Sequence, residues 1–156
     1  VSDVGLDAWR KAFRLLQARE VWINHGPWVK EVQPTFGPGI RERFAFAATL
    51  EGADLTDEEM LQEDAMRRMD GILDDGGLLC IPSAGGPPPR CNLPDSDLET
   101  LRNRTMNLTC IAGMAGLPQI SLPLLQVDGL PLGVSLITRR HGDERLLDVA
   151  VKLAET

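Results

Sequence analysis

The side chains able to do chemistry are few, and their spacing is the first thing to weigh. The chain holds five serines (Ser2, Ser83, Ser96, Ser121, Ser135), two histidines (His25, His141), three lysines (Lys11, Lys30, Lys152) and three cysteines (Cys80, Cys91, Cys110). No serine stands in the G-x-S-x-G turn that exposes a nucleophile in many hydrolases. Gly133-Val134-Ser135 matches only its first half, and Ser135 alternates with apolar Val134 and Leu136 as a packed strand residue would. His25 closes a helical pattern and His141 sits in a polar turn, so both read as surface histidines. Glu58, Glu59, Glu63 and Asp64 share one helical stretch without a histidine at ligand spacing, so they read as solvated acids and no metal is expected. Gly113 and Gly116 lack both the preceding strand and the Gly-Lys-Ser/Thr continuation of a phosphate loop. The cysteines offer no C-x-x-C pair, and Cys80 and Cys110, in apolar settings, are expected to be buried free thiols of a reducing cytoplasm.

Composition narrows the classes. The 156 residues suit one ordinary domain, and 43% apolar with 25% charged residues is the balance of a folded globular chain. A net charge of -7 argues against nucleic acid as a partner, since phosphates call for a basic patch. The basic pairs Arg41/Arg43, Arg67/Arg68 and Arg139/Arg140 are interleaved with acids and read as solvated faces. No apolar run reaches the roughly 18 residues that span a bilayer, so no membrane association is expected. The first residues lack the pattern of a signal peptide, and the absent initiator Met suggests a start inside a longer gene product.

The elements that must position these residues follow from periodicity. Leu6 to His25 reads as an amphipathic helix ended by Gly26-Pro27, with Trp28 to Val32 a short separate segment. A second helix follows Gly37-Pro38-Gly39 and stops by Gly52. Thr56 and Glu59 have capping-box spacing at the start of a third helix, which runs to about Asp74. Leu78 to Ile81 reads as a strand buried on both faces, as in parallel or mixed sheets. A proline-rich loop, Pro82 to Pro94, precedes a fourth helix starting near Leu98 to Thr100. Asp128-Gly129 joins two apolar runs as a hairpin turn. Ala112, Gly113, Ala115 and Gly116 would let helix and sheet approach closely. A last helix, Asp143 to Ala154, carries Leu146, Leu147, Ala150 and Leu153 on one face. So few, so apolar strands call for something further to complete the sheet.

Five blocks carry a family resemblance across nearly the whole chain. They are FRLLQAREVWINHGPWVKEVQPTFGPGIRERF, LLCIPSAGGPPP, LRNRTMNLTCIAGMAGLPQISLPL, DGLPLGVSLI and GDERLLDVA. Together they resemble the C-terminal part of amidase signature hydrolases, in the branch that includes indole-3-acetamide amidases and related bacterial amidases. The resemblance implies an α/β class, as part of an α/β/α fold with a mixed sheet of few strands flanked by helices. Residues 1–156 would then be a single C-terminal portion of the amidase domain. It implies hydrolysis of the C–N bond of linear amides by a Ser–Ser–Lys triad, with no cofactor. The sequence departs from the family in having neither the Gly/Ser-rich nucleophile block nor a lysine in a suitable setting. The chain is therefore expected to supply pocket wall and sheet, to contribute no catalytic residue and to be inactive alone.

On this resemblance the loop that starts at Pro82 passes near the nucleophile of the complete enzyme, and Ser83 and Ala84 are expected to line the substrate pocket. Asn103, Met106 and Asn107 are expected on a pocket-wall helix, with Trp28 and Phe36 adding a lining suited to a flat acyl group. Each has a plainer alternative: Met106 as core, Asn103 and Asn107 as helix–loop hydrogen bonders, and Trp28 and Phe36 as packing. A carboxylate-bearing substrate could use Arg41 or Arg43, with a solvated arginine the plainer reading. The expected partners are a small amide and either an upstream amidase segment or a second copy. The alternative function is a non-catalytic, self-associating module derived from an amidase.

Overall fold

The computed structural model describes residues 1–155, with five α-helices and three strands. Helix α1 (Leu6–Val32) leads to α2 (Ile40–Ala48) and α3 (Thr56–Ile72), and a 3₁₀ turn at Asp74–Gly76 introduces β1 (Leu79–Pro82). Helix α4 (Asp95–Ala115), the hairpin β2 (Gln119–Val127) and β3 (Leu130–Ile137), and α5 (Asp143–Ala154) complete the chain. The class is α/β, as the sequence led us to expect.

Helix α1 does not end at Gly26-Pro27. It runs on to Val32, where Gln33 takes the left-handed conformation and donates its N–H to the Val29 carbonyl at 3.0 Å. A proline inside a helix costs about 3 kcal/mol, and the last turn is held by contacts that offset it. Trp28 meets Phe36 edge-on, Phe36 stacks on Phe44 at 4.6 Å, and Lys30 pairs with Glu51 at 2.7 Å. Gly26 leaves room for the Trp22 ring, 2.9 Å from where a Cβ would sit.

The capping of α3 also differs from expectation. Thr56 lies inside the helix rather than at its cap, and Asp54 accepts from both its backbone N–H and its hydroxyl. The reciprocal arm forms instead at α2, where the Glu42 side chain accepts from the Gly39 N–H.

The strand order is β1-β3-β2, antiparallel throughout. Strand β1 is an edge strand with alternating exposure, so it is not buried on both faces, and Cys80 points outward rather than inward. The hairpin turns at Asp128 (φ 52°) and Gly129 (φ 76°), the pair of positive φ values that a tight two-residue turn needs. A β-bulge places Pro123 and Leu124 opposite Gly133 alone, since Leu122 faces Val134 and Leu125 faces Leu132. Proline cannot donate to the ladder, and the bulge accommodates it.

The core lies between three helices and one face of the sheet. Trp9 and Ala12 of α1, Ala65 and Met69 of α3, and Cys110, Ile111 and Met114 of α4 surround Ile137 of β3. Gly113 admits the Phe13 ring of α1, 2.6 Å from its absent Cβ, so this glycine serves a helix–helix approach, while Ala112 and Ala115 share the core with Ile137 of β3. Helix α5 packs on β2 with Leu146 and Ala150 buried, while Leu147, Val151 and Leu153 stay exposed, so its apolar residues split between two faces.

Candidate functional site

Two adjoining clefts open beside α4. The first, of about 540 Å³, is lined by the loop after β1 (Ala84, Gly86, Pro87–Pro89), by Leu101, Thr105, Met106 and Thr109 of α4, and by Pro131–Gly133 of β3. The second, of about 650 Å³, lies between α1, α2 and α4, with Val21, Ile40, Phe44, Asn103 and Met106 in its wall. Arg43, Arg102 and Met106 line both. Met106 is thus the partition between them, in keeping with an unbranched, adaptable side chain.

The loop after β1 is fixed at two points. The Ser83 N–H donates to the Gly133 carbonyl at 2.8 Å, extending the ladder past Pro82, and the Gly85 N–H donates to Thr105 Oγ1 at 3.0 Å. Between these anchors three hydroxyls meet. Ser83 Oγ lies 2.5 Å from Ser121 Oγ and 2.8 Å from Ser135 Oγ. Gly133 makes the meeting possible, since a Cβ there would stand 2.7 Å from Ser83 Oγ and 3.0 Å from Ser121 Oγ. Among the described residues, the hydroxyl partners of Ser83 are the other two serines, Ser121 and Ser135.

Helix α4 is tied to α1 by Arg10. Its buried guanidinium donates through Nε to Asn107 Oδ1 at 2.9 Å and through Nη1 to Asn103 Oδ1 at 3.0 Å, and pairs with Asp7. The two asparagines are one turn apart on one face, which suits the rigid fork of arginine. The Arg10 hydrogen bond, followed by that of Lys11, holds the Asp7 carboxyl below its usual range. Cys110 lies one turn beyond Asn107, and burial pushes its thiol up to about 11.

The residues singled out from sequence therefore separate. Ala84 and Met106 line the first cleft, and Asn103 and Met106 the second. Ser83 is held in the hydroxyl cluster beside the first cleft. Asn107 is bound by Arg10 and lines neither. Trp28 also lines neither; 45% exposed, it touches the second cleft only through Phe36 and Phe44. Ser121 and Ser135 were missed as a pair, because the bulge at Pro123 sets their register and nothing in the alternation of β2 announces it. Arg14 and Arg102 were missed because cleft-lining arginines have no sequence signature.

Comparison with known proteins agrees with this architecture. A family model described as Amidase matches residues 30–147. The chain is 38% identical over 144 residues to Amidase 1 of Oryza sativa subsp. japonica, covering 92% of this chain and 33% of that protein. It is 36% identical to Amidase 1 of Arabidopsis thaliana, covering 96% and 35%. Outer envelope protein 64, chloroplastic, of Arabidopsis thaliana is 34% identical, covering 86% and 23%. The fold matches a crystal structure of an amidase with a TM-score of 0.77 at 21% identity, over 96% of this chain and 36% of that one. A bacterial aryl acylamidase of the amidase signature family matches with a TM-score of 0.64 at 18% identity, over 91% and 32%. The chain spans about a third of the length of the Amidase 1 relatives. With a matching family model over most of its length and a shared fold, this chain belongs to the amidase family.

Proposed function

We propose that this chain is the C-terminal portion of an enzyme that hydrolyses linear amides, supplying pocket wall and supporting sheet and inactive by itself. The observation that carries the reading is the pairing of a pre-formed cleft with a serine cluster whose hydroxyls, among the described residues, meet one another. Hydrolysis of an unactivated amide needs an activated nucleophile and donors for the developing oxyanion. Here Lys11 pairs with Asp7 and Lys30 with Glu51, both on α1, and Lys152 belongs to α5. The triad that the family resemblance implies would come from an upstream amidase segment. Met106, Ala84 and the prolines of the loop would then shape one wall of the acyl pocket.

The substrate class within this proposal is an aryl or indolyl acetamide. Its support is the apolar lining of the first cleft and the Trp28–Phe36–Phe44 ring group beside the second. A reducing cytoplasm is also part of the proposal, supported by the three free thiols.

The test is a hydrolysis assay with phenylacetamide and indole-3-acetamide, on the chain alone and after adding the upstream segment of an amidase. Turnover only in the mixture is expected; turnover by the chain alone would overturn the reading.

One observation favours a second, non-catalytic reading. Leu147 and Val151 of α5 lie one turn apart and more than half exposed, and Leu124, Leu125, Val127 and Leu130 of the hairpin are also bare. Such apolar surface asks for a cover, and a second copy would make the chain a self-associating module. Sedimentation separates the readings. A tight homodimer that no amidase segment displaces or activates supports the module.

A further inference from the structure

We infer that Arg14, Arg43 and Arg102 form a binding site for a small carboxylate borne on a flat apolar group. Acids outnumber bases in this chain by 23 to 16, yet the second cleft is lined by three arginines and a single acidic residue, Glu99. Arg10, Arg19 and Arg140 each hold a carboxylate at 2.5 Å. Arg102 has Glu99 only at 3.8 Å, and the side chains of Arg14 and Arg43 have no hydrogen-bond or ion-pair partner among the described residues. Three cations with one loosely held anion leave a local positive field in a negative protein.

The surroundings select the ligand. Arg43 and Arg102 line both clefts beside Met106, so a carboxylate gripped there can send its apolar body along either wall. The wall of the second cleft carries Phe44, already stacked on Phe36, against which a flat ring can lie. Low-dielectric walls strengthen the field felt by an anion, and the guanidinium fork matches a carboxylate with two parallel hydrogen bonds. A neutral amide of the same shape gains the apolar contact but not the charge. The inference stands whether or not the chain takes part in amide hydrolysis.

Calorimetric titration of the 156-residue chain with phenylacetate, phenylacetamide and inorganic phosphate tests it. Phenylacetate is expected to bind at least about tenfold tighter than the amide, a preference that fades with added salt. It is also expected to bind more tightly than phosphate, which has no apolar body. The double substitution Arg43→Gln and Arg102→Gln, with its helical circular dichroism intact, is expected to erase the preference. Equal binding of acid and amide, equal or tighter binding of phosphate, or no binding of any probe overturns the site. So does a preference that survives the double substitution. Should that variant unfold, the comparison of acid, amide and phosphate on the unaltered chain still decides.

Discussion

The hydroxyl of Ser83, just past edge strand β1, lies 2.8 Å from that of Ser135, which is fully buried in central strand β3. The pair couples the loop that walls the first cleft to the middle of the sheet. It exists because Gly133 offers no Cβ to push Ser83 away.

Gly133→Ala is therefore expected to destabilise the chain by about 1–3 kcal/mol, the range for overpacking a filled site. Adding Ser83→Gly should recover part of that loss, because it removes Ser83 Cβ and Oγ and leaves the new methyl only Ser121 Oγ at 3.0 Å. Urea denaturation of both single variants and the double variant measures the coupling; strict additivity would show that the clash is not the cause.

Arg10 supports α4 through two neutral acceptors, and its removal strands both. Arg10→Met is expected to cost about 2–3 kcal/mol, since donors that bear charge make the stronger hydrogen bonds. Arg10→Lys should restore little, because one ammonium cannot span Asn103 and Asn107 as the fork does. Equal stability of the lysine variant and the native chain in denaturant melts would refute the two-point grip.

The thiols should differ in reactivity. Cys80 and Cys91 are exposed and Cys110 is buried, so a thiol reagent should label two cysteines on the native chain and the third only on unfolding. Burial raises the Cys110 pKa from 9.0 to about 11, so the folded state holds its proton longer than the unfolded state does. The contribution of this group to stability is full below pH 9.0 and is lost as pH rises towards about 11. Cys110→Ala should flatten that alkaline decline in a pH series of melts.

The hairpin tip offers a backbone test. Gly129, at φ 76°, is expected to lose about 1 kcal/mol on replacement by Ala, since a Cβ in the left-handed region is strained. Asp128→Asn should be nearly silent, because Asn tolerates that region as well as Asp does. Thermal melting of the two variants compares them directly.

What the sequence determined was local or periodic. Asp128-Gly129 set the turn by backbone sterics, apolar spacing set five helices, and the amidase blocks set the family. It failed where distant contacts outweighed a local rule. Gly26-Pro27 reads as a helix end, but Trp28 and Lys30, held by Phe36 and Glu51, carry α1 five residues beyond Pro27 to Val32. Leu78 to Ile81 reads as an interior strand, but it sits at the edge, because strand order is set by β3 pairing on both sides.

The candidate sites show the same division. Met106 and Ala84 come to line a cleft through helix position and the loop after β1, whereas the serine cluster depends on register. From the turn alone, Ser121 would face Leu136; the bulge at Pro123 shifts it opposite Ser135. The arginines of the second cleft sit on three helices, α1, α2 and α4, and only packing of those helices brings three like charges around one opening. Sequence fixes which charges exist, but their convergence depends on side-chain positions that no local periodicity encodes.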